Sequence, residues 1–131
     1  MKVNHGREPG AASMARSETF TGTVLMDPIM EGIPGTLVAS VSFPPGARTD
    51  WHHHEIGQIL IVTSGGGYAC TRAGQSSPLA AGDVVYFEAG EEHWHGAGPD
   101  SYLVHTAISL GTTTWLDEKV SDADYAAARA G

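Results

Sequence analysis

The sequence predicts an all-β barrel or sandwich with one short C-terminal helix. Three observations carry this expectation. Roughly seven or eight short runs rich in β-branched and aromatic residues follow one another, each bounded by Gly, Pro, Asp or Ser turn signals. Only residues 121–130 have a helical texture. Six of the seven histidines fall on three of the strand-like runs, at the alternating spacing of strands rather than the spacing of a helix face. At 131 residues the chain is one domain, large enough to bury a core without disulfide or metal staples. The expected layout is an N-terminal arm over residues 1–18 and a single barrel domain with its helix over residues 19–131.

Residues 1 to 18, rich in Gly, Ala, Ser and charge, carry no period and leave His5 solvated. Phe20 to Met26 reads as a strand that Asp27-Pro28 ends. Thr36 to Phe43 alternates, with Leu37, Ala39, Val41 and Phe43 on one face. Pro44-Pro45-Gly46 punctuates it. In the next strand His52 and His54 share one face about 7 Å apart, a separation at which two imidazoles can grip one ion. His53 points the other way, and Glu55 also faces outward. Gly57 marks a bend, after which Gln58 is the next oxygen donor able to swing to that ion.

Ser64 to Gly67 is expected to be a turn and Tyr68 to Arg72 its return strand. Ala73 to Ser77 turns again before the apolar strand Val84 to Phe87. After the turn at Ala89 to Glu92, His93 and His95 repeat the alternating spacing. His105 lies in the strand Tyr102 to Ile108, with Ala107 and Ser109 on its face. At the end, Ser121 caps a helix with Asp122 and Asp124 in its first turn and Arg129 in its last, as the helix dipole favours.

Composition narrows the function. With a net charge of -8 and only seven Lys+Arg, a surface tracking nucleic-acid phosphates or anionic membrane is not expected. Cys70 is the sole cysteine, so no intrachain disulfide forms, and its neighbours Ala69 and Thr71 offer no base to activate it. No apolar run reaches the roughly 18 residues of a membrane span. Lys2 and Arg7 have no apolar segment behind them, so a cytoplasmic protein is expected.

The motif Gly46-x5-His52-x-His54-x3-Gln58-x6-Gly65, followed by Gly82-x5-Glu88-x-Gly90-x2-His93, resembles the paired motifs of the cupins over residues 20 to 117. The resemblance implies a double-stranded β-helix, the jelly-roll barrel, with one divalent transition metal held in its mouth by His52, His54, Gln58 and His93. Three positions depart from the usual pattern: Gln58 replaces a carboxylate, Glu88 a proline and Ala97 an asparagine. The run T-D-W-H-H-H-E-I-G-Q-I-L-I-V-T-S-G, together with E-E-H-W-H-G and His105, is similar to small bacterial manganese cupins that act as hydroxynitrile lyases. That similarity implies a metal-dependent carbon–carbon lyase cleaving or forming cyanohydrins. Alternatives are a non-haem iron dioxygenase or oxidase, and a metal-binding accessory or cyclase-like cupin without redox chemistry. Manganese is the first expectation for the metal, with iron, zinc, nickel or cobalt as alternatives. The resemblance also implies a small-molecule substrate and a homodimer or homotetramer associating through sheet edges.

Three neutral imidazoles and a neutral amide leave the full +2 on the ion, so a Gln58 site should bind it less tightly than a glutamate site yet polarise a coordinated oxygen more. His95 and His105 stand outside that ligand set. Either could serve as the general base, since imidazole exchanges protons near neutrality. Trp51 and Trp94 are expected to pack outside the pocket, Ala39 and Val41 to form small pocket walls, and Glu88 to be a turn carboxylate.

Overall fold

The structure, a computed structural model, describes residues 1–6 and 9–130. Its elements in chain order are β1 (Met14–Arg16), β2 (Phe20–Thr21), β3 (Val24–Ile33), β4 (Thr36–Phe43), β5 (Arg48–Thr49), β6 (His52–His54), β7 (Gly57–Thr71), β8 (Ser76–Ala80), β9 (Val84–Phe87), β10 (His93–Ala97), β11 (Leu103–Leu110), β12 (Thr113–Trp115) and α1 (Asp122–Ala130). All pairings are antiparallel. One sheet runs β1-β3-β4-β11-β7-β9. The other runs β8-β7-β10, with β5 and β6 both on the far side of β10, then β2 on β5 and β12 on β6. This is the jelly-roll barrel with one short terminal helix that the sequence predicts.

The long strand β7 belongs to both sheets. Residues 57–65 pair with β11 and residues 67–71 with β10. The run Ser64 to Gly67, expected to be a turn, is therefore the place where one continuous strand crosses from sheet to sheet. The glycines are required because backbones meet there. A Cβ on Gly65, whose φ is +80°, would strike the Tyr102 carbonyl, and one on Gly67 would strike the Gly96 carbonyl. Close approach and a hairpin leave the same glycine signature.

Two more elements differ from expectation. β3 does not end at Asp27-Pro28 but continues to Ile33. Pro28 sits beyond the reach of β1, which covers only Val24 to Met26, and a register shift against β4 follows it. Such positions tolerate a residue with no N–H to give. Residues 14–16, inside the stretch read as a period-free arm, pair with β3 as Met14↔Met26, Ala15↔Leu25 and Arg16↔Val24.

Between the sheets lies the main core, including Phe43, Leu60, Val62, Phe87 and Leu103. Each large apolar side chain taken out of water there contributes roughly 1.5–3 kcal/mol. The alternation of β4 is realised, with Ala39, Val41 and Phe43 buried, while Leu37 at 41% exposure marks the barrel mouth. A second cluster joins Trp51, Cys70 and Trp94 to Val120, Tyr125 and Ala128, so both tryptophans pack outside the pocket under α1. Ser121 caps that helix, its Oγ accepting from the Asp124 N–H at 3.0 Å. Tyr125 donates to the Ala97 carbonyl at 2.5 Å, and the Arg48 guanidinium covers its ring at 4.4 Å. Among the described residues no helix is long and apolar enough to cross a membrane.

Candidate metal centre

Strand alternation puts His52 and His54 on the inner face of β6, and His93 and His95 on the inner face of β10. Register does the rest. His93 pairs directly with His52, which brings the two rings to 4.3 Å between centroids. β7 contributes Gln58 and β11 contributes His105 and Ser109, both strands lining the same interior. All six of the expected site residues, His52, His54, Gln58, His93, His95 and His105, are buried. The ligand atoms of His52, His93 and His95 lie within 4.8 Å of one another. His54 stands outside that tightest trio, with its ring 5.1 Å from His52 and 5.5 Å from His93.

The hydrogen bonds fix which atoms face inward. His52 Nδ1 donates to the Asp50 carbonyl and His93 Nδ1 to the Glu91 carbonyl, each at 2.8 Å. A carbonyl only accepts, so in both neutral rings the proton is on Nδ1 and the lone pair on Nε2. Gln58 Nε2 donates to Ser109 Oγ at 3.0 Å, which turns Gln58 Oε1 toward His93 Nε2 at 3.1 Å. Two acceptor atoms thus face each other. Nδ1 of His54 lies 2.9 Å from Thr113 Oγ1, and its Nε2 is buried without a partner.

Electrostatics keep these rings neutral. Burial pushes His93 down to about 3, with His54 and His53 adding repulsion and the Glu91 carbonyl opposing. Burial likewise takes His54 to about 4, opposed by the Gln58 amide beside it. His52 and His95 fall well below the usual imidazole value, first through burial and next through repulsion from His93 and His105 respectively. Phe87 stacks on His93 at 3.5 Å and contributes no charge. Buried neutral imidazoles and an amide oxygen, their lone pairs converging and without protein donors, are a set that fits a divalent cation.

The remaining two histidines form a pair. His105 Nε2 lies 3.0 Å from His95 Nδ1, and His95 Nε2 has no partner. Phe43 packs against both rings, at 5.8 and 5.2 Å.

In front of the histidines is a cavity of about 520 Å³. His52, His54, Gln58, His95 and His105 form its polar side; Phe20, Met26, Ala39, Val41, Ala107 and Trp115 form its apolar side. Ala39 and Val41 are the small walls that the alternation of β4 suggested. Residues 15–19 close one side of the mouth. Lys119 ties this segment down, its Nζ donating to the carbonyls of Glu18 at 2.8 Å and Phe20 at 3.0 Å and to Asp50 Oδ2 at 3.2 Å. The Asp50 N–H bonds Thr19 O at 2.9 Å, while the Asp50 carbonyl holds His52. The mouth segment and a histidine of the centre therefore share one anchor.

Sequence reasoning left this anchor and the role of Ser109 unassigned. Ser109 is on the right face of its strand, but its partnership with Gln58 depends on the register Ser109↔Gln58. Residues 15–19 give no periodic signal. Glu88 is exposed in its turn, as expected, and Cys70 is buried with its thiol 3.4 Å from Ser76 Oγ.

Comparison with known proteins agrees with this arrangement. An (R)-mandelonitrile lyase of Granulicella tundricola is 44% identical over 121 residues, which cover 88% of this chain and 92% of that protein. A solved cupin-like protein of Thermotoga maritima superposes with a TM-score of 0.84 at 39% identity, over 93% of this chain and 97% of that one. The polyketide cyclase RemF of Streptomyces resistomycificus shares the fold at a TM-score of 0.69 and 15% identity, over 92% of this chain and 89% of its own. Residues 39–106, which hold His52, His54, Gln58, His93, His95 and His105, match the cupin domain, and the chain belongs to the cupin family.

Proposed function

We propose that this cupin is a metal-dependent carbon–carbon lyase that cleaves cyanohydrins to an aldehyde and hydrogen cyanide, and joins them in reverse. The observation that carries the reading is the His95–His105 pair, set beside an inward-facing donor set in a cavity that apolar side chains also line. Similarity to the mandelonitrile lyase supports the same reaction class. We assign His52, His54, Gln58 and His93 to the metal, with manganese as the expected ion. When bound, the ion supplies Lewis acidity that makes a nearby hydroxyl easier to deprotonate.

For His52, His93 and His95 the division between ligand and base follows from what holds each Nδ1, while His54, whose Nδ1 meets Thr113 Oγ1, is assigned to the metal by its buried, unpartnered Nε2. In His52 and His93 Nδ1 is locked onto a backbone carbonyl, which fixes the tautomer. In His95 it meets another imidazole. A ring of that kind can take a proton on Nε2 and pass one from Nδ1 to His105 Nε2. Burial keeps His95 neutral at pH 7, so its Nε2 lone pair is available, and the same burial makes the protonated ring a short-lived state that gives its proton up again. In the cleavage direction His95 Nε2 removes the cyanohydrin hydroxyl proton. The oxygen lone pair becomes the carbonyl π bond, and the carbon–carbon pair leaves on cyanide. The proton then returns to cyanide, giving hydrogen cyanide and the aldehyde. Apolar side chains such as Met26, Val41 and Trp115 face the substituent of the aldehyde and exclude water from it.

The test is to purify the protein, measure its metal content, and assay cyanide release from mandelonitrile alongside oxygen uptake. Metal with cyanide release supports the proposal. Substrate-dependent oxygen uptake without cyanide would make the protein an oxygenase, and bound metal with neither activity an accessory cupin.

A further inference from the structure

We infer that the histidines hold a second metal site overlapping the first: His52, His93 and His95 form an all-nitrogen site suited to zinc, and an ion seated there takes the lone pair that His95 needs as a base. The loss of a base rests on the lyase reading; the site itself does not. Among the described residues, the ligand atoms of these three side chains all lie within 4.8 Å of one another. The corners of a triangle with such sides are at most about 2.8 Å from its centre, so each nitrogen need move inward by only about 0.7 Å to reach the roughly 2.1 Å of a zinc–imidazole bond. All three rings are set for it in the same way. His52 Nδ1 donates to the Asp50 carbonyl, His93 Nδ1 donates to the Glu91 carbonyl, and His95 Nδ1 stands 3.0 Å from His105 Nε2. With a proton on His95 Nδ1, His105 Nε2 accepts it, and every ring of the trio then presents Nε2 as a lone pair. That Nε2 of His95 is buried with no protein partner. His54 Nε2 is likewise unpartnered, but the Thr113 hydroxyl at its Nδ1 can donate as well as accept, so its tautomer is not fixed in the same way.

The two sites share His52 and His93, whose ring centroids are 4.3 Å apart, and differ in the remaining donors. One adds His54 and the Gln58 oxygen, which lies 3.1 Å from His93 Nε2. The other adds His95, whose ring is 5.5 Å from His52 and 5.9 Å from His93. Nitrogen and oxygen sort divalent ions between them. An amide oxygen with room for further oxygen ligands suits manganese, whereas imidazoles alone suit zinc, which closes its shell at four ligands. Three imidazoles leave one tetrahedral position, and both His52 and His95 line the cavity from which it can be filled. Zinc also binds nitrogen sites more tightly than manganese does, so it competes from a lower concentration. Because His52 and His93 serve both sites, only one ion is held at a time. With its Nε2 engaged, His95 has no lone pair left for the cyanohydrin proton. The identity of the ion therefore decides between a working centre and a silent one.

Competition for zinc and for manganese against a chromophoric chelator, in the parent, His95→Ala and His54→Ala, tests the site without any cyanohydrin, so its outcome stands even if the lyase reading falls. His95→Ala should lower zinc affinity by more than the roughly 10- to 100-fold that loss of an orienting partner costs, and change manganese affinity by less than about threefold. His54→Ala should do the reverse, weakening manganese and sparing zinc. Zinc held equally well by the parent and His95→Ala overturns the inference. A second measurement needs no variant to fold. In crystals of the zinc-loaded parent, anomalous scattering at the zinc edge should place the ion at bonding distance from His95, and a peak beside His54 and Gln58 instead overturns the site. In the lyase assay, zinc added to the manganese-loaded protein should abolish cyanide release from mandelonitrile in proportion to the zinc bound. Full activity with zinc bound beside His95 would overturn the loss of the base.

Discussion

Ser109 accepts a hydrogen bond from Gln58 Nε2 at 3.0 Å, and this single contact decides which end of the amide faces the histidines. With nitrogen committed to the serine, oxygen is left 3.1 Å from His93 Nε2. Ser109→Ala removes the acceptor and lets the amide rotate. Metal affinity should fall about 10- to 100-fold, the usual cost of losing the group that orients a ligand. Chelator competition followed by elemental analysis reads this directly. Unchanged affinity would mean that Gln58 is not a ligand.

Gln58→Glu tests the charge argument in the opposite direction. A carboxylate at this position gives the Ser109 hydroxyl an acceptor and neutralises one unit of the bound ion's charge. The variant should hold metal more tightly, on the order of tenfold, and turn over cyanohydrin more slowly, because the ion polarises the substrate hydroxyl less. Retention in chelator and kcat should therefore move in opposite directions. A rise in both would show that charge on the ion does not limit the rate.

Much of this centre was legible because alternation is a property of the strand itself. His52 with His54, and His93 with His95, share faces whatever the strands pair with. Pairing is a different matter. That His93 stands opposite His52, and Ser109 opposite Gln58, depends on strand order, which no local pattern contains. The glycines from Gly65 to Gly67 misled for a related reason: a hairpin and a close crossing of backbones both demand a missing Cβ. β1 was invisible because three residues, Met14, Ala15 and Arg16, are too few to show a period.

The buried histidines make stability depend on pH with a definite sign. His54, His93 and His105 are depressed to about 4, 3 and 4, and His52 and His95 lie well below 6.5. Below pH 6.5 the unfolded chain binds protons that the folded chain refuses, so stability is complete above that pH and is lost progressively toward pH 3. A cation bound by the neutral rings gives the same sign, and chelation should shallow the slope without reversing it. Urea midpoints between pH 4 and 8 measure this. The midpoint should be level above pH 7 and fall steadily below 6.5, whereas a flat profile from 5 to 7 would show that the rings titrate freely in the folded protein.

Lys119 is expected to control the cavity mouth rather than the chemistry. Its ammonium holds the Glu18 and Phe20 carbonyls and the carboxylate of Asp50, which is 3% exposed. Burial raises the Asp50 carboxyl, and Lys119 opposes that rise. Lys119→Met leaves the Asp50 carboxylate without its cation and should cost about 1–3 kcal/mol of stability. Asp50→Asn, which keeps an acceptor and removes the charge, should cost less. Freed from its clamp, the segment over residues 15–20 should exchange its amide hydrogens faster, and KM for mandelonitrile should rise more than kcat falls. Because the Asp50 carbonyl also holds His52, metal affinity should soften by a smaller factor than in Ser109→Ala. Equal exchange in residues 15–20 of parent and Lys119→Met would show that the mouth is held by β1 pairing alone.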